Sequence, residues 1–393
     1  MRQFPTSPES IAARMTGRPE AGIALLPSPM IQNHAAFLAQ GPDGLDCVWF
    51  GGSLEGKADI CVYRSRLGGT GWGPAEKLTD DPDRSEQNPI LFHAPDGRTC
   101  LIHTAQPGGD QDRCVVRMRE IGSSPADLPL PQGTFVRAAP HVRSDGAWLL
   151  PLFHCTAQDG ARWTGRHDTA SVAISANAGQ NWRLVPVPDS TGCVHMTLVP
   201  GQDCLVALFR RRQADFVYRS ESRDGGESWS VPAPTPVPNN NSSIAAIRLS
   251  DGRIALACNP INGAMSPERR ASLYDELGDD DRPEATGGCT PVWGVPRAPL
   301  VVAFSSDDGL SFDHQVVVAD SAGTCLSNIS TDGKNQELSY PALAEAPDGS
   351  LDVAFTLHRR AIAHVRLAPS EIGGTQWSAS RWATPPGSDR RSS

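Results

Sequence analysis

The sequence has 393 residues, 39% of them hydrophobic and 20% charged, with 37 glycines, 34 prolines and ten cysteines. A net charge of −9 argues against the broad basic face of a nucleic-acid-binding protein, and no stretch approaches the ~20 apolar residues that span a bilayer. Glycine and proline at this frequency fit many short strands joined by many turns.

In chain order, Met1 to Met15 carries Arg2, Glu9 and Arg14 and has no apolar run, so no secretory signal is expected and the expected location is cytoplasmic. Reduced, mostly buried thiols fit that compartment, and no Cys-x-x-Cys pair suggests structural zinc. Residues 1–21 read as an N-terminal extension. Gly22 to Pro27 follows, an apolar segment placed to pair with the last repeat and close a ring.

Two turn signals then recur. The first is a tight hairpin, expected to have two residues at its tip: Asp43-Gly44, Asp96-Gly97, Asp145-Gly146, Gly201-Gln202, Asp251-Gly252 and Asp348-Gly349. Asp-Gly suits the positive φ angles such turns demand. The glycines are spaced 53, 49, 55, 51 and 97 residues apart, a period near 50 that marks propeller blades. The second signal is a degenerate Ser-x-Asp-x-Gly-x-x-Trp turn. It occurs at Ser222-Asp224-Gly226-Trp229, Ser175-Asn177-Gly179-Trp182 and Ser305-Asp307-Gly309-Phe312, and in weaker form at Ser65-Gly69-Trp72 and Ser370-Gly374-Trp377. Its acid is expected to hold a turn and its aromatic to pack between blades. In three repeats this glycine lies 25 residues after the hairpin glycine, but from Gly252 to Gly309 the gap is 57. The excess matches Asn262 to Pro296, which has no strand pattern.

The long interval is therefore one blade with an insertion at 262–296. The expected fold is all-β, a six-bladed β-propeller of four-stranded antiparallel blades over 22–378, with a disordered tail at 379–393. Within the insertion, Ser266-Pro267-Glu268 is a helix start, with a helix expected to Leu277 and then the acidic run Asp279 to Asp281. This segment reads either as a lid over the channel mouth or as a surface loop.

Counting back from each hairpin puts His34, Asn88, His141, His195, Asn241 and Tyr340 at the mouth, where the innermost strands begin. Counting forward brings the loops at Phe50 to Glu55, His103, His154, Arg210 to Arg212, Asn259, and His358 to Arg359 to the same face. Polar residues converging on one opening are hard to explain as packing. His141, His154 and His195 could together suggest a metal site, but their spacing is unspecific, and neither metal nor cofactor is expected.

The box turns resemble the Asp-boxes, or BNR repeats, of the sialidase (neuraminidase) superfamily, over about Gly22 to Trp377. The chain is most similar to a sialidase-like group with divergent site residues, through Phe50 to Gly56 (Phe-Gly-Gly-x-x-Glu-Gly), Gln87 to Pro89, Pro238 to Ser242 and Ser339 to Ala342. The resemblance implies a carbohydrate substrate whose carboxylate is bound by arginines, a tyrosine nucleophile activated by a glutamate, and a loop carboxylate as acid/base. It implies Tyr340 as nucleophile, Arg210 and Arg297 as the second and third arginines, and Glu55 as acid/base with Asp59 as its rival. Asn88, Asn241, His141 and His154 would line the substrate site. Two stations depart from the pattern: His34 stands for the first arginine and His195 for the glutamate.

These departures bear on the chemistry. Tyrosine, with a pKa near ~10, needs a base at neutral pH, and histidine can serve. Histidine, tyrosine and arginine are also a set that performs β-elimination on a uronate. Three functions follow: exo-type cleavage of a terminal acidic sugar by hydrolysis, a polysaccharide or uronate lyase, and a non-catalytic glycan-binding propeller. No nucleic-acid or membrane partner is expected.

Overall fold

The computed structural model describes residues 2–269, 281–321, 323, 325–326 and 336–373. Six antiparallel sheets follow one another along the chain as the blades of a β-propeller. Blade I comprises Gln32–Gly41, Gly44–Gly52 and Cys61–Gly68, flanked by the short outer strands Gly71–Trp72 and Glu76–Lys77. Blade II comprises Ser85–His93, Thr99–Gln106, Val115–Glu120 and Ala126–Asp127. In blade III the innermost strand is broken into Thr134–Val136 and His141–Val142, followed by Trp148–His154, Thr169–Ser175 and Arg183–Pro186. Blade IV comprises Cys193–Pro200, Leu205–Arg211, Phe216–Ser222 and Ala233–Pro238. Blade V comprises Ala245–Arg248, Ile254–Cys258, Leu300–Ser305 and His314–Ala319.

Blade VI comprises Leu338–Glu345, Leu351–Leu357 and Ala361–Leu367, and its fourth strand is Ile23–Leu25 from the start of the chain. Ile23 pairs with Val365 and Leu25 with Ala363, so the ring closes by hydrogen bonds between the two ends of the repeat. A strand edge that would otherwise be open is thereby covered. Upstream, the helix Pro8–Arg14 is capped by Ser7, whose hydroxyl accepts from the Ser10 amide. The helix drops Ile11 into the apolar layer of blades V and VI, and Phe4 packs edge-on against Phe355 in the same layer.

The box turns at Ser175, Ser222 and Ser305 share one construction. In each, the serine hydroxyl accepts from the glycine amide four residues on, at 2.7–2.9 Å. The Asn or Asp carboxamide or carboxylate accepts from the amide four residues after itself. Trp229 and Phe312 pack in layers that join consecutive blades, III with IV and IV with V. Ser65 does not build this turn. Its hydroxyl donates to Gly73 O, and the strand folds back with Gly68 paired to Gly71. Ser370 lies in a short helix, Pro369–Ile372, and Gly374 and Trp377 lie outside the described residues.

The hairpins also differ from the expected two-residue form in most blades. Asp96-Gly97, Asp145-Gly146, Asp251-Gly252 and Asp348-Gly349 end three-residue tips, closed by Ala94 N to Arg98 O, Arg143 N to Ala147 O, Leu249 N to Arg253 O and Ala346 N to Ser350 O. A glycine with positive φ belongs at the last position of such a tip. The aspartate accepts from the amide two residues on. In blade IV, Gly201 N donates to Cys204 O, which leaves a two-residue tip at Gln202-Asp203, one position later than the expected Gly201-Gln202.

Gly226 and Gly252 separate two costs of adding a side chain. Both have positive φ, +93° and +88°, but a Cβ on Gly226 would lie 2.4 Å from Leu149 Cδ2, whereas one on Gly252 would meet nothing within 4 Å. Gly226→Ala is expected to lose about 2–4 kcal/mol, backbone strain plus overpacking, and Gly252→Ala about 1 kcal/mol. Denaturant unfolding of the two variants checks this; equal losses would show that the box turn is not packed against blade III.

Candidate active site

The innermost strands of blades IV, V, VI, I and II meet in that order around the central axis, and at their leading ends the backbone is irregular. Ala35, Asn88, His195, Asn241 and Tyr340 all have φ between +48° and +58°. In blades I, II, IV and VI the pairing slips beside this residue: between His34 and Phe37, Gln87 and Ile90, Val194 and Thr197, and Ser339 and Ala342. A β-bulge of this kind re-aims side chains at the rim of a sheet. For residues with a Cβ it costs on the order of 1–3 kcal/mol each, a cost typical of functional sites.

Arg210, at the end of the second strand of blade IV, is at the centre of what these bulges bring together. It is 1% exposed. Its Nε donates to Asn241 Oδ1 at 2.8 Å, and its Nη1 lies 3.1 Å from Tyr340 Oη and 3.3 Å from His195 Nε2. Nη2 is buried without a partner. The His195 ring stands edge-on to Tyr340 at 5.5 Å and tilts over Phe153 at 4.7 Å. On the other side of Tyr340, the His34 ring lies 4.1 Å away and abuts Phe50. His34 is 0% exposed, and neither of its ring nitrogens has a hydrogen-bond partner.

A second buried group is built on Glu337, three residues before Tyr340. Its carboxylate accepts from Arg297 Nη1 at 2.7 Å, from Arg359 Nε at 3.2 Å and from Ser339 Oγ at 2.7 Å. Arg359 also ion-pairs with Glu55. Arg297 faces the Tyr340 ring at 5.8 Å, which links this group to the first. Burial alone would raise the Glu337 pKa, but Arg297 and Arg359 outweigh it and hold the carboxyl well below its usual range. A third pair, Arg212 with Asp168 at 2.7 Å, is flanked by Trp163 and Trp293.

The returning limb of the insertion is docked beside this cluster. Val292 O accepts from Asn241 Nδ2 at 3.0 Å, and Pro296 O accepts from Asn240 Nδ2 at 2.8 Å. Glu284 pairs with Arg162, and Thr286 O accepts from Gln158 Nε2. Ser266 to Arg269 is not helical; the rest of the expected helix and Asp279-Asp280 lie outside the described residues.

Of the sequence-picked residues, His34, His195, Arg210, Asn241, Arg297 and Tyr340 are thus brought together, and Glu55 joins through Arg359. Asn88 occupies the equivalent bulge of blade II and donates to Thr104 Oγ1; no contact links it to the Arg210 cluster. His141 corrects the sequence reading. His141 pairs with Leu149 on the hairpin side of the break in blade III, because the register there jumps over 137–140. His154 is held within its own blade by Thr134 Oγ1 and Ser171 Oγ, at 3.0 and 2.7 Å. Among the described residues no three His, Cys, Asp or Glu side chains are grouped to hold a metal ion.

The position expected of His141 is taken by Arg137, which the sequence reading missed. Arg137 lies nine residues before Gly146, the offset that separates Tyr340 from Gly349 and Asn88 from Gly97. Its guanidinium crosses the axis to donate to Ala36 O at 2.9 Å, Tyr340 O and Pro341 O at 3.3 Å, and Ser243 Oγ at 3.2 Å. Burial pushes Arg137 and Arg210 down to about 10, so both are still cations at neutral pH. Glu337, Glu55 and Asp168 offset Arg297, Arg359 and Arg212. No carboxylate among the described residues pairs with Arg210 or Arg137.

Residues 43–353 match the model of the BNR repeat-like domain family, and the chain belongs to that family. Its fold is similar to that of a Hadza microbial sialidase, with a TM-score of 0.65 at 11% identity over 87% of this chain and 66% of that one. The chain therefore spans just under two thirds of that relative's length. A protein of unknown function from Dyadobacter fermentans is similar with a TM-score of 0.63 at 13% identity, over 88% of this chain and 98% of that one. The intramolecular trans-sialidase of Ruminococcus gnavus, solved with oseltamivir carboxylate, gives 0.60 at 12% identity, over 88% and 96%. No curated protein matches the chain. No helix among the described residues is long and apolar enough to cross a membrane.

Burial, with the nearby arginines adding to it, holds His34 and His195 well below the usual imidazole range, and burial lowers His103 and His358 to about 4. The unfolded chain protonates each of these near ~6.5, before the folded chain does, so their contribution to stability is full above ~6.5 and is lost as the pH falls. Between pH ~6.5 and ~5 each should remove about 1.4 kcal/mol per pH unit. His103→Gln should flatten that slope by about one proton in denaturant titrations across this range. An unchanged slope would mean that His103 is not buried in its neutral form.

Proposed function

We propose that this protein is a carbohydrate-active enzyme that cleaves the terminal glycosidic bond of an acidic sugar. The observation that carries this reading is Arg210: a buried cation with an unpartnered Nη2, no acidic partner, and a hydroxyl and an imidazole nitrogen at its Nη1. A planar guanidinium with free donors is suited to a carboxylate, and a substrate carboxylate would supply the charge that the site lacks. Arg297 would assist from its place over the Tyr340 ring. Asn88 and Asn241 would line the opening. The sialidases among the structural neighbours support the choice of substrate class.

In the hydrolytic reading Tyr340 Oη attacks the anomeric carbon as its proton passes to His195 Nε2, which the low basicity of the buried ring keeps unprotonated and available. The glycosidic oxygen leaves with a proton from Glu55 in its protonated form. Water then attacks the anomeric carbon and gives its proton to the Glu55 carboxylate, as the Tyr340 oxygen leaves and takes its proton back from His195. A second reading, β-elimination, draws support from one observation: no carboxylate among the described residues is hydrogen-bonded to the Tyr340 hydroxyl, and Glu55 is held in an ion pair with Arg359. In that reaction His195 Nε2 takes the C5 proton of a uronate, the C4=C5 bond forms as the C4–O bond breaks, and Tyr340 protonates the leaving oxygen. Arg210 neutralises the carboxylate in both.

Incubation with a panel of acidic glycans separates the two. New absorbance in the unsaturated-uronate band means elimination, and new reducing ends without it mean hydrolysis. Tyr340→Phe keeps the ring and should lower kcat about 100-fold or more. Arg210→Lys keeps the charge but not the fork and should chiefly raise KM, with part of the loss in kcat. A Tyr340→Phe variant with near-normal turnover would remove the tyrosine from the chemistry.

A further inference from the structure

The His195 ring has two hydrogen-bond partners, and together they determine where its proton sits. On one side Arg210 Nη1 lies 3.3 Å from Nε2. A guanidinium N–H can only donate, so Nε2 must be the accepting, unprotonated nitrogen. The neutral ring then carries its proton on Nδ1, which lies 3.0 Å from Ser243 Oγ. Ser243 is in turn constrained from below. Its oxygen accepts from Arg137 Nε at 3.2 Å, and its own hydroxyl proton has Ile244 O at 3.5 Å. An oxygen that accepts from Arg137 and from His195 while donating to Ile244 O uses all its capacity in one consistent pattern.

We propose that Ser243 and Arg137 are positioning residues that hold His195 as the Nδ1–H tautomer, with Nε2 as its proton acceptor beside Tyr340. The inference deepens the functional reading above and rests on it for the role of Nε2, though not for the tautomer. Arg137 contributes through geometry. It is buried, has no carboxylate among the described residues, and spends its donors on carbonyls of blades I and VI and on Ser243. A buried cation without an acid is a poor way to plug a channel, since an apolar side chain of similar volume would avoid the desolvation cost. Fixing the hydroxyl that fixes the imidazole gives it a use. The charged and titratable groups that face His195 are Arg210, Arg212, Arg137, Arg297 and Tyr340. All four charges are positive, which in the absence of a substrate anion opposes a second proton on the ring and leaves a single hydrogen to place.

Arg210 stands over the same nitrogen. Without substrate its Nη1 covers the His195 Nε2 lone pair. A substrate carboxylate that engages Arg210 competes for that donor and uncovers the base when there is a sugar to act on.

The test is nitrogen NMR of the full chain with 15N-labelled histidine, with His195 assigned by its loss in His195→Gln. The native protein should show His195 as Nδ1–H with an unprotonated Nε2. Ser243→Ala, a small change that removes one oxygen, should populate the Nε2–H form and lower kcat on the acidic glycan about tenfold, with KM within about twofold. Ser243→Thr, which restores a hydroxyl, should recover both. A native Nε2–H ring, or a Ser243→Ala protein with the native tautomer and the native kcat, overturns the proposal. If the tautomer behaves as stated but neither protein cleaves any acidic glycan, the positioning holds and the functional reading fails.

Discussion

A buried guanidinium with no carboxylate to neutralise it is the constraint on which the centre of this propeller depends. Two occupy it, Arg210 and Arg137, and each is accommodated differently. Arg137 is satisfied by carbonyl and hydroxyl oxygens from three other blades, so its charge acts as a staple across the axis. Arg210 is satisfied on Nε and Nη1 and left empty on Nη2. Leaving a charged donor unmet in the interior is costly, and the surrounding structure tolerates it together with a run of left-handed backbone at Ala35, His195, Asn241 and Tyr340. Strain and unmet polarity in the same place support the proposal of a ligand site there, and the positive charge favours an anionic ligand.

The neighbouring ion pairs sharpen that inference by what they withhold. Glu337 is committed to Arg297, Arg359 and Ser339, and Asp168 to Arg212 and Trp163. Neither is free to neutralise Arg210. Glu337 therefore does more by keeping two arginines in place than it would as a base, and the titratable rings beside Tyr340 are imidazoles, His34 at 4.1 Å and His195 at 5.5 Å between ring centroids. This is the physical reason for proposing histidine chemistry at a position where the resemblance to sialidases implies a glutamate.

Much of this was legible in the sequence, and what was hidden has identifiable causes. The blade count followed from turns, because an Asp-Gly tip needs a glycine at positive φ wherever it occurs and so leaves a periodic mark. Gly22 to Pro27 read as the closing strand because it was apolar and outside the period, and Ile23–Leu25 pairs with the last blade. Tyr340 and Asn88 were placed by their offset from the hairpin. The same offset would have found Arg137 in place of His141, but the broken inner strand of blade III disguised the register. In blade IV, Gly201 stands before the tip instead of ending it, which shifts the count there as well without displacing His195 from the cluster. Glu337 and Ser243 left no periodic mark, since their roles arise from contacts across blades that are distant in sequence. The insertion hid most: its returning limb docks on Asn240, Asn241 and Arg212 through backbone groups, and backbone contacts of that kind have no residue signature.

The claim that Arg210 awaits a carboxylate is tested most directly by one matched pair of ligands. An acidic glycan found as a substrate in the panel is compared with the same glycan after its carboxyl group has been reduced to a primary alcohol, with kcat/KM measured for both. The account predicts that reduction lowers kcat/KM by about 100-fold or more, the loss expected when a buried charged donor is left without its partner. Equal cleavage of the two glycans would contradict it, because the unpaired cation at the centre of the ring would then have no part in choosing the substrate.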